Sequence, residues 1–486
     1  MTADLVVRGL APSLGALLGA TVDRVPLAEA IVDLRTGRRL TYAQLWQAAA
    51  RVAGGLAEAG VAPGDRVAIR LPNGADWCLA FLGATLAGAV PVPVNTRLAP
   101  PEVAYIVADS GASAVIDDAL PDGRPTDRSG SDAEALGALF YTSGTTGRPK
   151  GAMLSHRALL SAAEQCRKAL LLEPDEPTRN LVAAPLFHIL ACGMQWTPAL
   201  AAGGAVVILP AFEVGAWLGA IRDERIDILN GVPAMYWQAL HHPDFARLDT
   251  AGVRRVSYGA APTPPSQVAA ILDAFPAARL APGYGLTEAA CVTGLDHDDV
   301  LTHADSVGTA VAATELALSG PDAGAGTGQL LVRGPQVMSG YWRRPEATAA
   351  ALDDDGWLHT GDLVRIDDAG RVRILDRRTD LINRGGENVY SVEVENVLAA
   401  FPGIAEVAVV GVPDSMMGQK VGAVVVPRPG LPVDPAELVA YARDGLADFK
   451  VPQYVAVRGE PLPRNPGGKV DKAALRATTS WGPPLR

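Results

Sequence analysis

Between Tyr141 and Gly151 the chain reads Tyr-Thr-Ser-Gly-Thr-Thr-Gly-Arg-Pro-Lys-Gly. Serine and threonine hydroxyls alternate with glycines ahead of a single lysine, Lys150. That mixture suits phosphate. Glycines let backbone N–H groups approach an anion, hydroxyls donate to its oxygens, and an ammonium adds charge. The spacing is not GxxxxGK[ST], because Pro149 precedes the lysine and Gly151 follows it, so this is a different kind of phosphate loop. Lysine is scarce here: only positions 150, 168, 420, 450, 469 and 472 carry it among 42 basic residues. Each retained lysine is therefore informative. Lys469 ends a second Pro/Gly-rich stretch, Pro463-Arg-Asn-Pro-Gly-Gly-Lys469, a setting for a mobile cation.

The elements that must position these groups alternate between helix and strand. Thr41-Tyr-Ala-Gln44 is a capping box opening a helix that ends at Gly60. Strands are predicted at 65–71, 89–94, 205–210 and 226–229, with helices at 78–88 and 214–224, the pattern of parallel βαβ layers. Residues 117–134 read as a surface loop. From about 305 to 376 short β-like runs between Gly, Pro and Asp turns predict a β-rich subdomain. Beyond it come a helix at 392–400, strands at 404–412 and 420–427, and a helix opened by an Asp434–Glu437 capping box with Pro435 at its first position. The expected fold class is α/β: a large N-terminal domain over 1–376 and a small, mobile α+β domain over 377–486.

Composition narrows the function classes. Apolar residues make up 49% and charged residues 20%, which excludes a disordered or fibrous chain. The net charge of −11 and the lack of basic stripes argue against a nucleic-acid partner. Cys78, Cys166, Cys192 and Cys291 are scattered, so neither a zinc site nor a disulfide framework is predicted. The start of the chain lacks a signal-peptide pattern, and a cytoplasmic location is expected. The longest uncharged run, Cys78–Val94, contains Gly83, Gly88, Pro91 and Pro93 and reads as a buried helix entering a buried strand, not a transmembrane segment.

Further motifs follow the phosphate loop in a fixed order, and together they resemble the adenylate-forming superfamily, most closely its fatty acyl-CoA synthetases. Pro185-Leu-Phe-His188 resembles the acyl-pocket motif, and Tyr258-Gly-Ala-Ala-Pro262 the adenine-contacting strand and turn. Tyr284-Gly-Leu-Thr-Glu288 resembles the α-phosphate and magnesium motif, and Thr360-Gly-Asp362 the ribose-binding turn. Asp376-Arg377 with Gly385-Gly-Glu-Asn-Val-Tyr390 resembles the hinge and its glycine loop, and Pro463–Lys469 the loop carrying the catalytic lysine. The resemblance spans nearly the whole chain and implies ATP, Mg²⁺ and CoA as cofactors. It implies that Thr142, Ser143, Gly144, Thr145, Thr146 and Lys150 hold the β- and γ-phosphates, and that Gly259, Ala260, Ala261, Pro262, Tyr284 and Gly285 border the nucleotide. Thr287 would donate to the α-phosphate, Glu288 would hold the metal and Asp362 would accept the ribose hydroxyls, as an ionised carboxylate can. Arg377 would join the nucleotide site, while Gly385, Gly386 and Asn388 would face CoA, and Lys469 would bridge the carboxylate and α-phosphate. The active site is expected in the cleft between the two domains.

His188 is expected to border the acyl carboxylate or gate its pocket, without acting as a base, since a carboxylic acid is already ionised at neutral pH. The expected pocket, near His188–Met194, Asn230–Val232, Tyr258–Gly259 and Thr293, contains neither an arginine for a dicarboxylate nor an aspartate for an α-ammonium. An apolar monocarboxylate, fatty or aromatic, is therefore the expected substrate. The reading is ATP-dependent formation of acyl-AMP from such an acid, a fatty acid by the resemblance of Gly385–Tyr390 to fatty acyl-CoA ligases with an aryl-CoA ligase as the alternative, and transfer to CoA. The alternatives are transfer to a phosphopantetheine of an acyl carrier protein, a luciferase-like oxygenase and a non-catalytic binding protein. Two residues depart from the family pattern: Thr379 at the hinge pivot and Pro282 ahead of Tyr284. Lys450, in Asp448-Phe-Lys-Val-Pro452, matches a family pattern with a structural role as the simpler account.

Overall fold

Continuous apolar runs become strands buried on both faces. In the computed structural model, which describes residues 11–130, 132–142, 148–261, 263–385, 387–465 and 468–485, Ala205–Ile208 and Ile228–Gly231 are buried at every position. Parallel sheets need such strands because helices cover both their faces. The chain forms two compact units: Met1–Thr263, Gln267–Leu316 and Val332–His359 in one, and Pro264–Ser266, Ala317–Leu331 and Thr360–Arg486 in the other.

The first unit is built on a seven-stranded sheet in the order Arg279–Leu280, Arg255–Tyr258, Ile228–Gly231, Arg179–Val182, Ala205–Ile208, Glu29–Asp33, Arg39–Thr41. All neighbours are parallel except the last pair, which is an antiparallel hairpin. Val32, Leu181, Val207, Leu229, Trp217 and Tyr236 belong to its core. A second parallel sheet joins Val90–Pro93, Arg66–Ile69 and Ala112–Ile116. Two antiparallel pieces carry the motifs: the hairpin Leu136–Thr142 with Lys150–Ser155, and the three strands Gly283–Leu286, Ala290–Gly294 and Thr309–Ala310.

The uncharged run divides as its composition predicts. Ala75–Leu86 is a helix buried at every position except Asp76, and Val90–Pro93 is a buried strand. No helix among the described residues is long and apolar enough to cross a membrane. The helix is fixed by stacking of Trp77 on Phe81 at 5.3 Å and edge contacts of both rings with Trp196 at 5.8 and 5.6 Å. The Thr41 capping box is fully made, with both reciprocal bonds, and opens the helix Tyr42–Glu58.

The second unit contains most of a four-stranded sheet, Glu315–Ser319, Thr327–Arg333, Leu358–Ile366 and Val372–Arg377, whose outer strands fill the expected β-rich stretch. Its other sheet orders Glu387–Val389, Ile382–Arg384, Gly418–Pro427 and Ile404–Asp414, with Tyr454–Val457 added parallel to Gly418–Pro427. The helices Ser391–Ala399 and Pro435–Gly445 supply Val394, Leu398, Leu438 and Ala442 to one core with Val409, Val421 and Val425. Asp434 caps its helix by accepting from Ala436 N–H at 2.8 Å, so the capping contact is made by Asp434 without the Glu437 half expected of a box.

Replacing Trp77 by Ala removes the centre of the three-ring cluster and leaves a cavity. Urea unfolding of that variant is expected to show a loss of about 3–5 kcal/mol. Leu27, at 85% exposure, is the control, and its replacement by Ala should stay within about 0.5 kcal/mol.

Candidate functional site

The phosphate-loop sequence is held between two strands. Thr142 and Lys150 face each other at the end of the hairpin, with the Thr142 hydroxyl 3.4 Å from the Lys150 carbonyl. Ser143, Gly144, Thr145 and Thr146 lie outside the described residues, as do Pro262 and Gly386. The hairpin is anchored by long-range polar contacts. Tyr141 donates to Asp109 at 2.8 Å, and Tyr105 donates to the Pro149 carbonyl at 3.1 Å. Arg344 reaches both Asp109 at 2.5 Å and the Tyr105 oxygen at 3.0 Å. Burial and the Asp109 charge push the Tyr141 hydroxyl far above its ordinary pKa, so it stays a donor.

Tyr341 joins this hairpin to the acidic motif. Its strand position bridges to Ala152, and Trp342 N–H donates to the Gly151 carbonyl at 2.8 Å. The Lys150 ammonium lies over the Tyr341 ring, 4.3 Å from the centroid. The Tyr341 hydroxyl donates to Glu288 Oε1 at 2.8 Å. One tyrosine thus holds a cation on its face and a carboxylate at its tip. Burial, reinforced by Glu288, drives its hydroxyl pKa far up, which keeps the proton on the phenol.

Thr287 and Glu288 sit in the turn between Gly283–Leu286 and Ala290–Gly294, half-buried. Their backbone is closely confined: a Cβ on Gly285 would lie 1.8 Å from the Ala290 carbonyl oxygen. Gly259 bridges to Gly283, and a Cβ there would stand 2.5 Å from the Gly283 oxygen, so Tyr258–Ala261 runs against the Tyr284 strand. Ala260 and Ala261 are exposed, and Ala260 takes a left-handed φ of 66°. The structure therefore brings together Gly259, Ala260, Ala261, Tyr284, Gly285, Thr287 and Glu288, and links Lys150 to them through Tyr341. Pro282 is buried and accepts from Leu295 N–H at 2.9 Å.

His188 is half-buried at the head of the helical segment Ile189–Ala202, its ring edge-on to Phe187 with centroids 4.7 Å apart. That segment contains a π-helical stretch, Cys192–Trp196, a feature frequent at functional sites. Gly231 is lined by Met235 and Tyr236, and Tyr236 packs edge-on against Tyr258. Thr293 is fully buried with its hydroxyl donated to the Val307 carbonyl at 2.6 Å.

In the second unit, Thr360-Gly-Asp362 lies inside the strand Leu358–Ile366 and is not the turn expected from its sequence. Gly361, at φ 75°, bends that strand where Arg378 N–H donates to the Gly361 carbonyl. Asp362 is 3% exposed and pairs across the ladder with Arg377, whose Nε stands 3.2 Å from Asp362 Oδ1. Gly385 starts the turn of the hairpin Ile382–Arg384 with Glu387–Val389, at φ 62°, and Asn388 is exposed on its outer strand. Lys469 is exposed on a loop closed by an Arg464–Val470 bridge and by the Asn465 side chain, which accepts from Lys469 N–H at 3.1 Å. Lys450 makes a two-point ion pair with Glu393 at 2.7 Å, in keeping with a structural role.

The model of the AMP-binding enzyme family matches residues 18–130 and 119–342, and that of its C-terminal domain matches 393–469. The chain belongs to the AMP-binding enzyme family. It is 41% identical over 469 residues to a feruloyl-CoA synthase of an Amycolatopsis species, covering 90% of this chain and 94% of that protein. It is 37% identical over 494 residues to the long-chain-fatty-acid–CoA ligase FadD13 of Mycobacterium tuberculosis, covering 94% and 96%. The crystal structure of ATP-bound MatB from Rhodopseudomonas palustris superposes with a TM-score of 0.86 at 32% identity, over 96% of this chain and 99% of that one. Within the AMP-binding family the chain is an ATP-dependent acyl-CoA synthetase.

Tyr341, Asp109 and Arg344 were not legible as site residues, because their partners are distant in sequence. Replacing Tyr341 by Phe keeps the ring beneath Lys150 and removes the hydrogen bond to Glu288. A hydrogen bond to a charged group contributes about 1.5–3 kcal/mol, so kcat/KM for ATP should fall roughly tenfold or more. The half-saturating Mg²⁺ concentration should rise with it in a magnesium titration of pyrophosphate release, and should stay unchanged if Tyr341 only packs.

Proposed function

We propose that this protein activates an apolar monocarboxylic acid with ATP, releasing pyrophosphate, and then transfers the acyl group of the acyl-AMP to CoA with release of AMP. The observation that carries this reading is the convergence of Lys150 and Glu288 on Tyr341. Joining a carboxylate to the α-phosphorus of ATP requires two anions to approach, and fixed cationic and metal-binding groups lower that barrier. Lys150 would neutralise the outgoing phosphates. Thr287 would donate to the α-phosphate, and Asp362, steadied by Arg377, would accept the ribose hydroxyls. Lys469 would stabilise charge shared by the carboxylate and α-phosphate. The body from 377 to 486 would rotate about 377–380 between the two half-reactions, bringing the turn at Gly385 to the pantetheine arm.

Glu288 suits a magnesium ion. A hard cation takes oxygen ligands, and a half-buried carboxylate oriented by a phenol is such a donor. The described residues contain no cluster of three or more acidic, His or Cys side chains that could cage a metal, so the remaining ligands would be phosphate oxygens and water. Bound there, the ion would neutralise phosphate charge.

For the acid itself, the stretches 188–194, 230–232 and 258–259 and Thr293 carry neither an arginine nor an aspartate, which supports an apolar acid. The relatives favour two classes: an aryl acid by likeness to the feruloyl-CoA synthase and a fatty acid by likeness to FadD13. We favour the aryl acid on the higher identity. The test is pyrophosphate release with Mg-ATP across aryl, fatty, dicarboxylic and amino acids, with and without CoA. CoA-stimulated turnover with aryl or fatty acids alone is expected. Replacing Lys469 by Ala should slow acyl-AMP formation by on the order of 10²–10³. Release that CoA does not accelerate would overturn the choice of acceptor.

A further inference from the structure

The 377–380 turn is crossed by a chain of polar contacts that none of the nucleotide or acyl roles uses. Asp376, 1% exposed, is the penultimate residue of the strand Val372–Arg377 that leads into the turn. Its two carboxylate oxygens accept from two backbone donors: Oδ1 from Arg377 N–H at 2.7 Å and Oδ2 from Ser391 N–H at 2.5 Å. Ser391 is the first residue of the helix Ser391–Ala399, so the carboxylate reaches over the turn to cap a helix that follows it. The Ser391 hydroxyl accepts from the Lys472 ammonium at 2.6 Å, and the same ammonium meets Glu395 Oε1 at 2.7 Å. Glu395 Oε1 also accepts from Val409 N–H at 2.8 Å, which ties the cluster to the central sheet. Lys472 opens the helix Lys472–Thr478, directly after the loop that carries Lys469. Farther along that helix Arg476 pairs with Asp380, the last residue of the turn, at 3.0 Å.

Burial raises the pKa of both carboxyls, Asp376 and Glu395, and the Lys472 ammonium opposes the rise in each. Buried carboxylates of this kind persist only when paired and hydrogen-bonded. Arg377, Arg378 and Thr379, by contrast, are exposed. The turn is thus exposed and bracketed by the buried Asp376 and Ser391, with Lys472 and Glu395 half-buried beside them. Asp376 lies before it and Ser391 after it, so rotation about 377–380 must pull the carboxylate off the helix.

We propose that Asp376, Ser391 and Lys472 form a latch across the 377–380 turn, which holds one orientation of the C-terminal body and couples it to the base of the Lys469 loop. Asp376 and Lys472 are positioning residues in this proposal, which rests on the two-step ligase reading. A latch of this kind sets the balance between acyl-AMP formation and thiol transfer.

Two measurements on Asp376→Asn, Lys472→Met and the double variant test it. Asparagine offers one acceptor oxygen where the carboxylate offers two, so one backbone donor loses its partner while the side-chain shape is kept. The first measurement is limited trypsinolysis after Arg377 and Arg378 without any substrate. Each single variant should be cut about tenfold faster, the effect of losing a charge-assisted hydrogen bond on local opening. The second is single-turnover acyl-AMP formation and its consumption by CoA, measured separately with the acid that the wild type uses. The ratio of the two rates should shift about tenfold in both single variants, with KM for ATP unchanged. The double variant should match the single ones, because residues of one network are not additive. Unchanged cleavage, an equal fall in both half-reactions, or multiplying effects in the double variant would overturn the latch. If the wild type forms no acyl-AMP, the ligase reading fails while the cleavage assay still decides the latch.

Discussion

A triphosphate and a carboxylate repel each other, and in the proposed reaction the groups that would offset that repulsion in the first unit are gathered around Tyr341. The aromatic face fixes the Lys150 ammonium at 4.3 Å, and the phenol fixes the Glu288 carboxylate at 2.8 Å. A lysine left to itself loses up to about 2 kcal/mol of rotamer freedom when it is ordered. Resting on a ring meets part of that cost before any ligand arrives. Preorganised charge stabilises a developing charge without reorganising at the moment of reaction, and this is the largest contribution in many enzymes. The rest of the network, Asp109 with Tyr105, Tyr141 and Arg344, keeps the two strands of the loop in register.

The scaffold shows why glycine occurs where the nucleotide motifs lie. Gly285 faces the Ala290 carbonyl and Gly259 faces the Gly283 carbonyl at distances that exclude a Cβ. Backbone packed that closely brings Tyr258–Ala261 and the Thr287–Glu288 turn together without intervening side chains. Residues 258–261 and 283–288, from strands of two different sheets, therefore lie side by side. In the second unit the same economy appears at Gly361, where a left-handed residue bends a strand so that Asp362 and Arg377 meet.

Much of this was legible from local signals. The Thr41 capping box, the helix and strand within 78–94, and the alternation behind the parallel sheet depend on neighbours a few residues apart, and each appears where the pattern puts it. The phosphate loop was expected from its composition and the glycine loop from the family resemblance, and Ser143–Thr146 and Gly386 lie outside the described residues. Thr360-Gly-Asp362 was expected as a turn from the family resemblance; sheet pairing keeps it in a strand and confines the turn character to one dihedral, the positive φ of Gly361. Tyr341 was illegible because Ser-Gly-Tyr-Trp carries no chemical signature, and its partners Lys150 and Glu288 are brought to it only by the crossovers of the fold. Lys472 had a faint signal in the scarcity of lysine and Asp376 one in the hinge motif, whereas Glu395, which meets the Lys472 ammonium, gave none.

In the proposed reaction everything turns on attack of the carboxylate on the α-phosphorus of ATP. Supplying an acid that turns over, with both carboxylate oxygens labelled as ¹⁸O, tests this most directly. Attack at that phosphorus makes one labelled oxygen the bridge of the acyl-AMP, and the later break at the carbonyl leaves it on AMP. The account predicts AMP carrying a single ¹⁸O, with pyrophosphate unlabelled. Label in pyrophosphate or inorganic phosphate, with AMP unlabelled, would place the attack on another phosphorus and contradict it.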